Sequence, residues 1–230
     1  MHFFCQHHSN VSFSLYQEWA QALRRISSLR PIILFPGHGP PLWGEKRIHE
    51  ALSDSAQLLE SICSQTVALM NRGLPLSRVM GEIEIDLSML QKPFLSPNYD
   101  DPRFICATIF RQFGGWYTQE ITRLLPQSKS LVAAELCRAA GGGKMLANRA
   151  HQIFSSREIA SSREFLSPKW KSCMESLGVA LELAEFAYLA NDSDREISRI
   201  RNTILREIAN MQASLMASSL FLANTTEAKL

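Results

Sequence analysis

The 230-residue sequence predicts a mainly α-helical fold that is preceded by one short α/β unit. Three observations support this class. Apolar residues recur with the three-four spacing of amphipathic helices along most of the chain after residue 45. Glycines and polar clusters interrupt this spacing at intervals that suit helical hairpins. Residues 32–35, in contrast, form a short β-branched apolar run that is typical of a single buried strand.

The composition is that of an ordinary globular protein and excludes several classes. Lys and Arg total 24, Asp and Glu total 22, and the formal net charge is +2, with no basic stripe that would indicate a nucleic-acid partner. The five cysteines are scattered without a CxxC pair, so we expect reduced, buried thiols. No apolar run approaches the roughly 18 residues that span a bilayer, and no signal-peptide core is present. The default expectation is therefore a soluble, cytoplasmic protein without a membrane partner.

The N-terminal region is expected to supply the α/β unit. Residues 1–14 have no regular pattern, and the adjacent His7 and His8 are interpreted as part of a solvated loop. Apolar spacing predicts a helix over 16–29, and the strand over 32–35 follows it. A lone strand leaves backbone N–H and C=O groups unpaired. Either a further sheet lies outside this sequence, or the strand is a remnant that packs on helices.

The strand is followed by the turn Pro-Gly-His-Gly-Pro-Pro at 36–41, which presents His38. Glycine allows positive φ and proline restricts φ, so the turn is expected to be rigid. A rigid turn holds one imidazole in a fixed position, and imidazole is the commonest metal-binding side chain near neutral pH. From these residues alone, His38 is either a metal ligand or the exposed histidine of a tight turn.

Seven helices are predicted after this turn. They cover residues 45–71, 76–85, 103–113, 131–140, 145–154, 170–190 and 196–222. The last two are separated by the polar segment 191–194 and are expected to form an antiparallel hairpin of the tetratricopeptide-like kind. Residues 87–102 and 155–167 are expected to be loops, and 223–230 a frayed, disordered tail.

Three motifs among these helices have competing interpretations. The carboxylate pair at 100–101 could hold a hard cation, but a helix N-cap role for Asp101 is favoured. The aromatic pair at 116–117 follows two glycines and is expected to anchor the core, with ligand contact as the alternative. The triple glycine at 141–143 lacks the preceding strand and the following Ser or Thr of a phosphate loop, so we interpret it as a helix end.

Several short segments, taken in order, resemble the alkyl sulfatase branch of the metallo-β-lactamase superfamily. They are WAQAL at 19–23, LFPGHGPP at 34–41, TVALMNRG at 66–73, FGGWY at 113–117, LLP at 124–126, AAGG at 139–142, ALELAEFA at 180–187 and QASL at 212–215. The resemblance extends from about residue 16 to residue 222. It implies an αββα metallohydrolase domain followed by an all-helical dimerisation domain.

This resemblance assigns a role to each part of the chain. Residues 1–44 would be the C-terminal remnant of the metallo-β-lactamase-like domain, 45–222 the dimerisation domain and 223–230 the tail. The implied reaction is hydrolysis of primary alkyl sulfate esters to alcohol and sulfate at a two-zinc centre, with His38 as the final zinc ligand. The upstream HxHxDH ligand motif is absent, and a catalytic zinc needs about three protein ligands. We therefore expect the chain to be inactive alone, and we assign no catalytic residue.

Two functions remain open from the sequence. The chain is either a part of an alkyl-sulfatase-like hydrolase, contributing one zinc ligand and the dimerisation helices, or a non-enzymatic helical scaffold for self-association or partner binding. Both predict a homodimer, because helices too apolar to be covered by one neighbour need a partner chain.

Overall fold

The computed structural model describes residues 15–225. They form ten α-helices and one two-stranded antiparallel sheet of β1 (Ile33–Leu34) and β2 (Leu42–Trp43). The helices are α1 (Leu15–Ser28), α2 (Glu45–Asn71), α3 (Leu76–Glu82), α4 (Leu87–Leu90), α5 (Pro102–Gly114), α6 (Lys129–Ala139), α7 (Gly143–Ser156), α8 (Pro168–Ala190), α9 (Arg195–Asn210) and α10 (Leu215–Ala223). The predicted mainly helical class is confirmed. No helix in this part of the chain combines the length and apolar character needed to cross a membrane.

The described residues divide into two compact units. The first unit contains the residues up to 97 together with 102–124, and the second contains 98–101 and the residues from 125 onward. The boundary predicted between residues 44 and 45 lies inside the first unit, where α1 packs along α2. The family-based division of the chain stays a prediction.

The core of the first unit lies between α2, α3 and α5. Its fully buried side chains include Ile62, Val79, Ile109 and Phe110. Helix α2 occupies the predicted range, and Gly73 ends it. Gly73 has φ +76°, its N–H donates to the Met70 carbonyl, and the next N–H reaches back to Leu69. This pair of bonds is the Schellman arrangement, which favours glycine because an L side chain disfavours positive φ.

The prediction of a buried strand over 32–35 is wrong in length and in burial. Two residues form β1, with Ile33 opposite Trp43 of β2. Ile32 is 69% exposed and Phe35 is 74% exposed. The strand therefore finds its hydrogen-bond partner a few residues along the chain, in a two-residue segment too short to show any periodicity. An apolar run predicts a strand, but it does not reveal which layer, if any, covers that strand.

The core of the second unit lies around α8, which contacts α6, α7 and α9. Alanines such as Ala180, Ala184 and Ala187 are fully buried along α8, and small side chains let neighbouring helices approach closely. Asp194 caps α9 by accepting hydrogen bonds from the backbone N–H groups of Glu196 and Ile197. These bonds, with the bond from Ile197 the largest contribution, hold the pKa of the Asp194 carboxyl below its usual value. The predicted break at 191–194 is confirmed.

The single helix predicted over 196–222 is wrong, because α9 and α10 are separate. Helix α9 ends at Asn210, and Ser214 caps α10 by accepting from the N–H of Ala217. The Ser214 hydroxyl also donates to the Tyr99 carbonyl at 2.7 Å, and the N–H of Leu215 donates to the Asn98 carbonyl at 2.8 Å. The interruption is thus stabilised by a segment more than a hundred residues away, which helical periodicity alone does not register.

The cysteines of the described residues are buried, as the sequence predicts, and Cys5 lies outside those residues. Cys63, Cys106, Cys137 and Cys173 lie in the described part of the chain, where no disulfide joins them. Burial raises the pKa of the Cys106 thiol to about 11, outweighing the lowering effect of its hydrogen bond with Thr66. The Cys106 thiol is therefore a protonated core side chain at neutral pH.

Candidate functional site

His38 lies in the connection between β1 and β2. The pairing of β1 with β2 brings the two ends of this connection together. One further hydrogen bond, from the Gly44 N–H to the Ile32 carbonyl at 2.9 Å, continues this pairing. Gly39 has φ +90°, which explains why glycine follows the histidine. The His38 side chain is exposed. The turn therefore exposes one imidazole. Both interpretations of His38, a metal ligand and the exposed histidine of a tight turn, predict this exposure.

The described residues do not by themselves form a metal centre around His38. Within residues 15–225, no group of three or more His, Cys, Asp or Glu side chains is placed to hold a metal ion. His49 Nδ1 lies 2.7 Å from the Ser27 hydroxyl, and His151 stacks on Phe154. His7 and His8 lie outside the described residues. His38 thus offers a single ligand, and its assignment to zinc stays a prediction.

The surface next to His38 is rich in exposed apolar side chains. The β1–β2 hairpin exposes Ile32, Ile33, Phe35 and Trp43. Helix α1 buries Ala20 and Ser27 against α2 but exposes a second apolar stripe, which consists of Leu15, Trp19, Ile26 and Leu29 with Ala22 between them. The spacing of four, three, four and three residues places this stripe on one side of the helix. We call these α1 and hairpin residues the N-terminal apolar face.

A second group of exposed apolar residues lies farther along the chain. Trp116, Ile121 and Leu124 are exposed in the first unit, and Leu125, Leu131, Val132 and Leu136 are exposed in the second. Residues 121–132 are exposed without interruption. Single exposed apolar residues are common on protein surfaces, whereas contiguous apolar patches are typical of interaction sites.

The prediction that both aromatics at 116–117 anchor the core is wrong for Trp116, which is 78% exposed. Tyr117 is half-buried and lines a shallow pocket with Met70, Phe110 and Phe113. The pocket walls carry no carboxylate, histidine or cysteine. Its polar lining groups are the Tyr117 hydroxyl and the side-chain amides of Asn71 and Gln119.

The remaining two motifs have simple structural roles. Asp101 is fully buried directly before Pro102, the first residue of α5, and its N–H donates to Asp100 Oδ1 at 2.8 Å. The triple glycine ends α6, as the sequence predicts. The N–H of Gly142 donates to the Cys137 carbonyl and that of Gly141 donates to Arg138, which is again the Schellman arrangement.

Comparison with known proteins shows that part of the chain is similar to one protein family. Residues 77–168 match the model of the alkyl sulfatase dimerisation family. Over this region, called here the dimerisation region, the chain is similar to that family. All seven exposed apolar residues between 116 and 136 lie inside the dimerisation region.

Known alkylsulfatases are similar to a larger part of the chain. The linear primary-alkylsulfatase of a Pseudomonas species is 23% identical over 176 residues, which are 76% of this chain and 31% of that protein. The solved structure of the stereoselective inverting sec-alkylsulfatase Pisa1 from Pseudomonas sp. matches with a TM-score of 0.76 at 14% identity. A double mutant of the sec-alkyl sulfatase PisA1 matches with the same TM-score. The structural matches, which cover 90% of this chain and 30% of those chains, establish the shared fold. The chain thus spans less than a third of the length of these relatives.

Sequence reasoning identified His38 and the family but did not locate the exposed surfaces. The exposed stripe of α1 has a helical spacing that is visible in the sequence. Its residues Trp19 and Ile26 each directly precede a buried residue, Ala20 and Ser27. The sequence alone does not show which of two adjacent apolar stripes the fold covers. The sequence also does not show that α6 is exposed, because the spacing of its apolar residues is the same as that of core residues.

Proposed function

We propose that this chain is the self-associating portion of an alkyl-sulfatase-type protein and forms a homodimer. The observation that carries the proposal is the set of exposed apolar side chains in the second unit that lie within the dimerisation region: Leu125, Leu131, Val132 and Leu136. Burial of apolar surface lowers the free energy by about 25 cal/mol per Å². Contact with a second copy would bury these side chains and would therefore stabilise a dimer. Homodimers with twofold symmetry are the commonest outcome of such self-association.

The first prediction concerns the mass of the purified chain in solution. Sedimentation equilibrium at micromolar concentrations should give twice the chain mass of 25.9 kDa, with dissociation on dilution. A species that remains at the mass of a single chain at these concentrations contradicts the proposal.

We propose further that His38 supplies one zinc ligand in an assembly that hydrolyses primary alkyl sulfate esters. The similarity to the linear primary-alkylsulfatase supports the substrate class, and the position of His38 on a constrained turn supports the ligand role. The N-terminal apolar face supports the presence of a further protein layer beside the turn, because eight large apolar side chains are exposed there. In a zinc site, His38 would bind the metal through a neutral ring nitrogen, and further protein would have to supply the other ligands.

A scaffold without metal chemistry is the second candidate. The observation that favours it is the exposure of Leu131, Val132 and Leu136 on α6, which a helical contact would use without a metal ion. Zinc content and sulfate release separate the two candidates, whereas dimerisation is common to both.

The second prediction is that the chain alone retains no stoichiometric zinc. After incubation with zinc and gel filtration, wild type and His38→Ala should contain equally little metal, because one imidazole does not make a tight site. Neither form should release sulfate from dodecyl sulfate. One equivalent of zinc that is retained by wild type and lost in His38→Ala would show that this chain supplies a complete ligand set, which contradicts the expectation that the other ligands come from elsewhere.

A further inference from the structure

Helix α6 is covered along only one narrow side in this structure. Of its 11 residues, Ala133 and Cys137 are buried and the other nine are exposed. Ser128 at its N-cap makes no side-chain capping hydrogen bond. Isolated helices shorter than about 12–15 residues are marginal in water, and two small side chains bury little apolar surface. Most of the surface of α6 is therefore open to a further packing partner.

The uncovered side of α6 combines apolar and charged residues. Leu131, Val132 and Leu136 are 64%, 40% and 39% exposed. Glu135 and Arg138 lie beside them, and Glu135 Oε2 is 2.5 Å from Arg138 Nη1. Both side chains are about 70% exposed, and an ion pair of this kind contributes little to the stability of a monomer.

We propose that α6 is the centre of the homodimer contact and packs antiparallel against α6 of a second copy. The proposal rests on the self-association proposed above and names the surface that performs it. Three observations select this helix and this occupant: α6 lies in the dimerisation region, it lacks cover, and its charges complement those of an identical helix.

The charge complementarity follows from twofold symmetry. If the axis passes between Leu136 and Cys137, Glu135 of each copy lies opposite Arg138 of the other. The interface then contains two Glu135–Arg138 ion pairs, each formed between the two copies. The neighbouring Leu131, Val132 and Leu136 side chains lose contact with water. Opposite charges across an interface set its register and exclude wrong partners.

The test uses the two single charge reversals Glu135→Arg and Arg138→Glu. Each one places like charges opposite each other in a homodimer, so each should raise the dimer dissociation constant at least about tenfold. When the two variants are mixed in equal amounts, chains of opposite charge face each other, and sedimentation equilibrium should show recovery of the dimer as a heterodimer. A loss of the bond within one helix cannot be repaired by mixing, so recovery reports the contact between copies.

Two further variants separate this assignment from dimerisation as such. Leu136→Gln should weaken the dimer, while Val179→Gln should not, because Val179 is an exposed apolar residue on α8 outside the dimerisation region. Circular dichroism checks that every variant keeps its helices. A wild-type dimer that α6 variants leave intact, or single reversals that stay monomeric on mixing, overturns the α6 contact but not the homodimer. A wild-type monomer overturns both.

Discussion

Trp170→Ala is expected to lower the free energy of unfolding by about 3–5 kcal/mol. Trp170 is 2% exposed and is the largest fully buried side chain of the second unit. Its ring packs edge-on against Phe165 with a centroid distance of 4.9 Å, and its Nε1 donates to the Met211 carbonyl at 3.0 Å. Truncation would leave a large cavity and an unpaired carbonyl between α8 and the end of α9. Both effects act in the same direction.

Urea unfolding followed by far-UV circular dichroism measures this effect without relying on tryptophan fluorescence. Trp43→Ala is a matched control, because Trp43 is 58% exposed and lies outside the proposed dimer surface, so its truncation should change the free energy of unfolding by less than about 0.5 kcal/mol. Trp170→Phe keeps most of the volume but loses the donor, so its cost should lie between the two. Equal unfolding midpoints for Trp170→Ala and Trp43→Ala would show that Trp170 is not a core residue.

Phe110→Ala is expected to destabilise the first unit by a similar amount, about 3–5 kcal/mol. Phe110 is 1% exposed on α5 and belongs to the core cluster with Ile62, Val79 and Ile109 from α2, α3 and α5. Removal of the ring takes away contacts from all three helices at once. The close packing of these helices limits collapse into the cavity, so little of the loss is recovered.

The control for Phe110 is Phe35→Ala in the same unit. Phe35 belongs to the exposed hairpin, and its removal should leave the unfolding transition of the isolated chain nearly unchanged. Both variants are compared by thermal and urea unfolding at equal protein concentration, because dimerisation makes apparent stability depend on concentration. A large loss in Phe35→Ala would mean that the hairpin is covered in solution.

Helix locations could be predicted well because their signals are local. The apolar spacing of residues 45–71 and the glycine at 73 define α2 at both ends, and the observed helix has the same bounds. The end of α6 at the triple glycine follows from the same positive-φ argument. Such signals depend on backbone sterics and on neighbours within a few residues, which a sequence displays directly.

The predictions that failed all concern coverage by distant parts of the chain. The run at 32–35 is apolar enough for a buried strand, but no described layer covers it. Trp116 has the chemistry of a core anchor and is exposed. The break between α9 and α10 depends on the carbonyls of Asn98 and Tyr99, which approach only after folding. Burial and long-range hydrogen bonds are properties of the tertiary arrangement and leave no fixed local pattern.

The candidate sites show the same division. The sequence identified His38 through the constraint that two glycines and three prolines place on one turn, and the structure adds that its imidazole is exposed. The α6 surface could not be found in this way. Leu131, Val132 and Leu136 have the spacing of core residues, and only the packing of Ala133 and Cys137 against the rest of the unit turns them outward.

The sequence by itself determined the mainly helical class, the family resemblance, most helix bounds and the residue that the turn at 36–41 presents. Only the tertiary structure decided which of two adjacent apolar stripes on α1 is buried, that β1 pairs locally with β2, and that α6 leaves its charged and apolar side exposed. The physical reason is that secondary structure follows from short-range sterics and periodicity, whereas exposure depends on which surfaces the completed fold brings together.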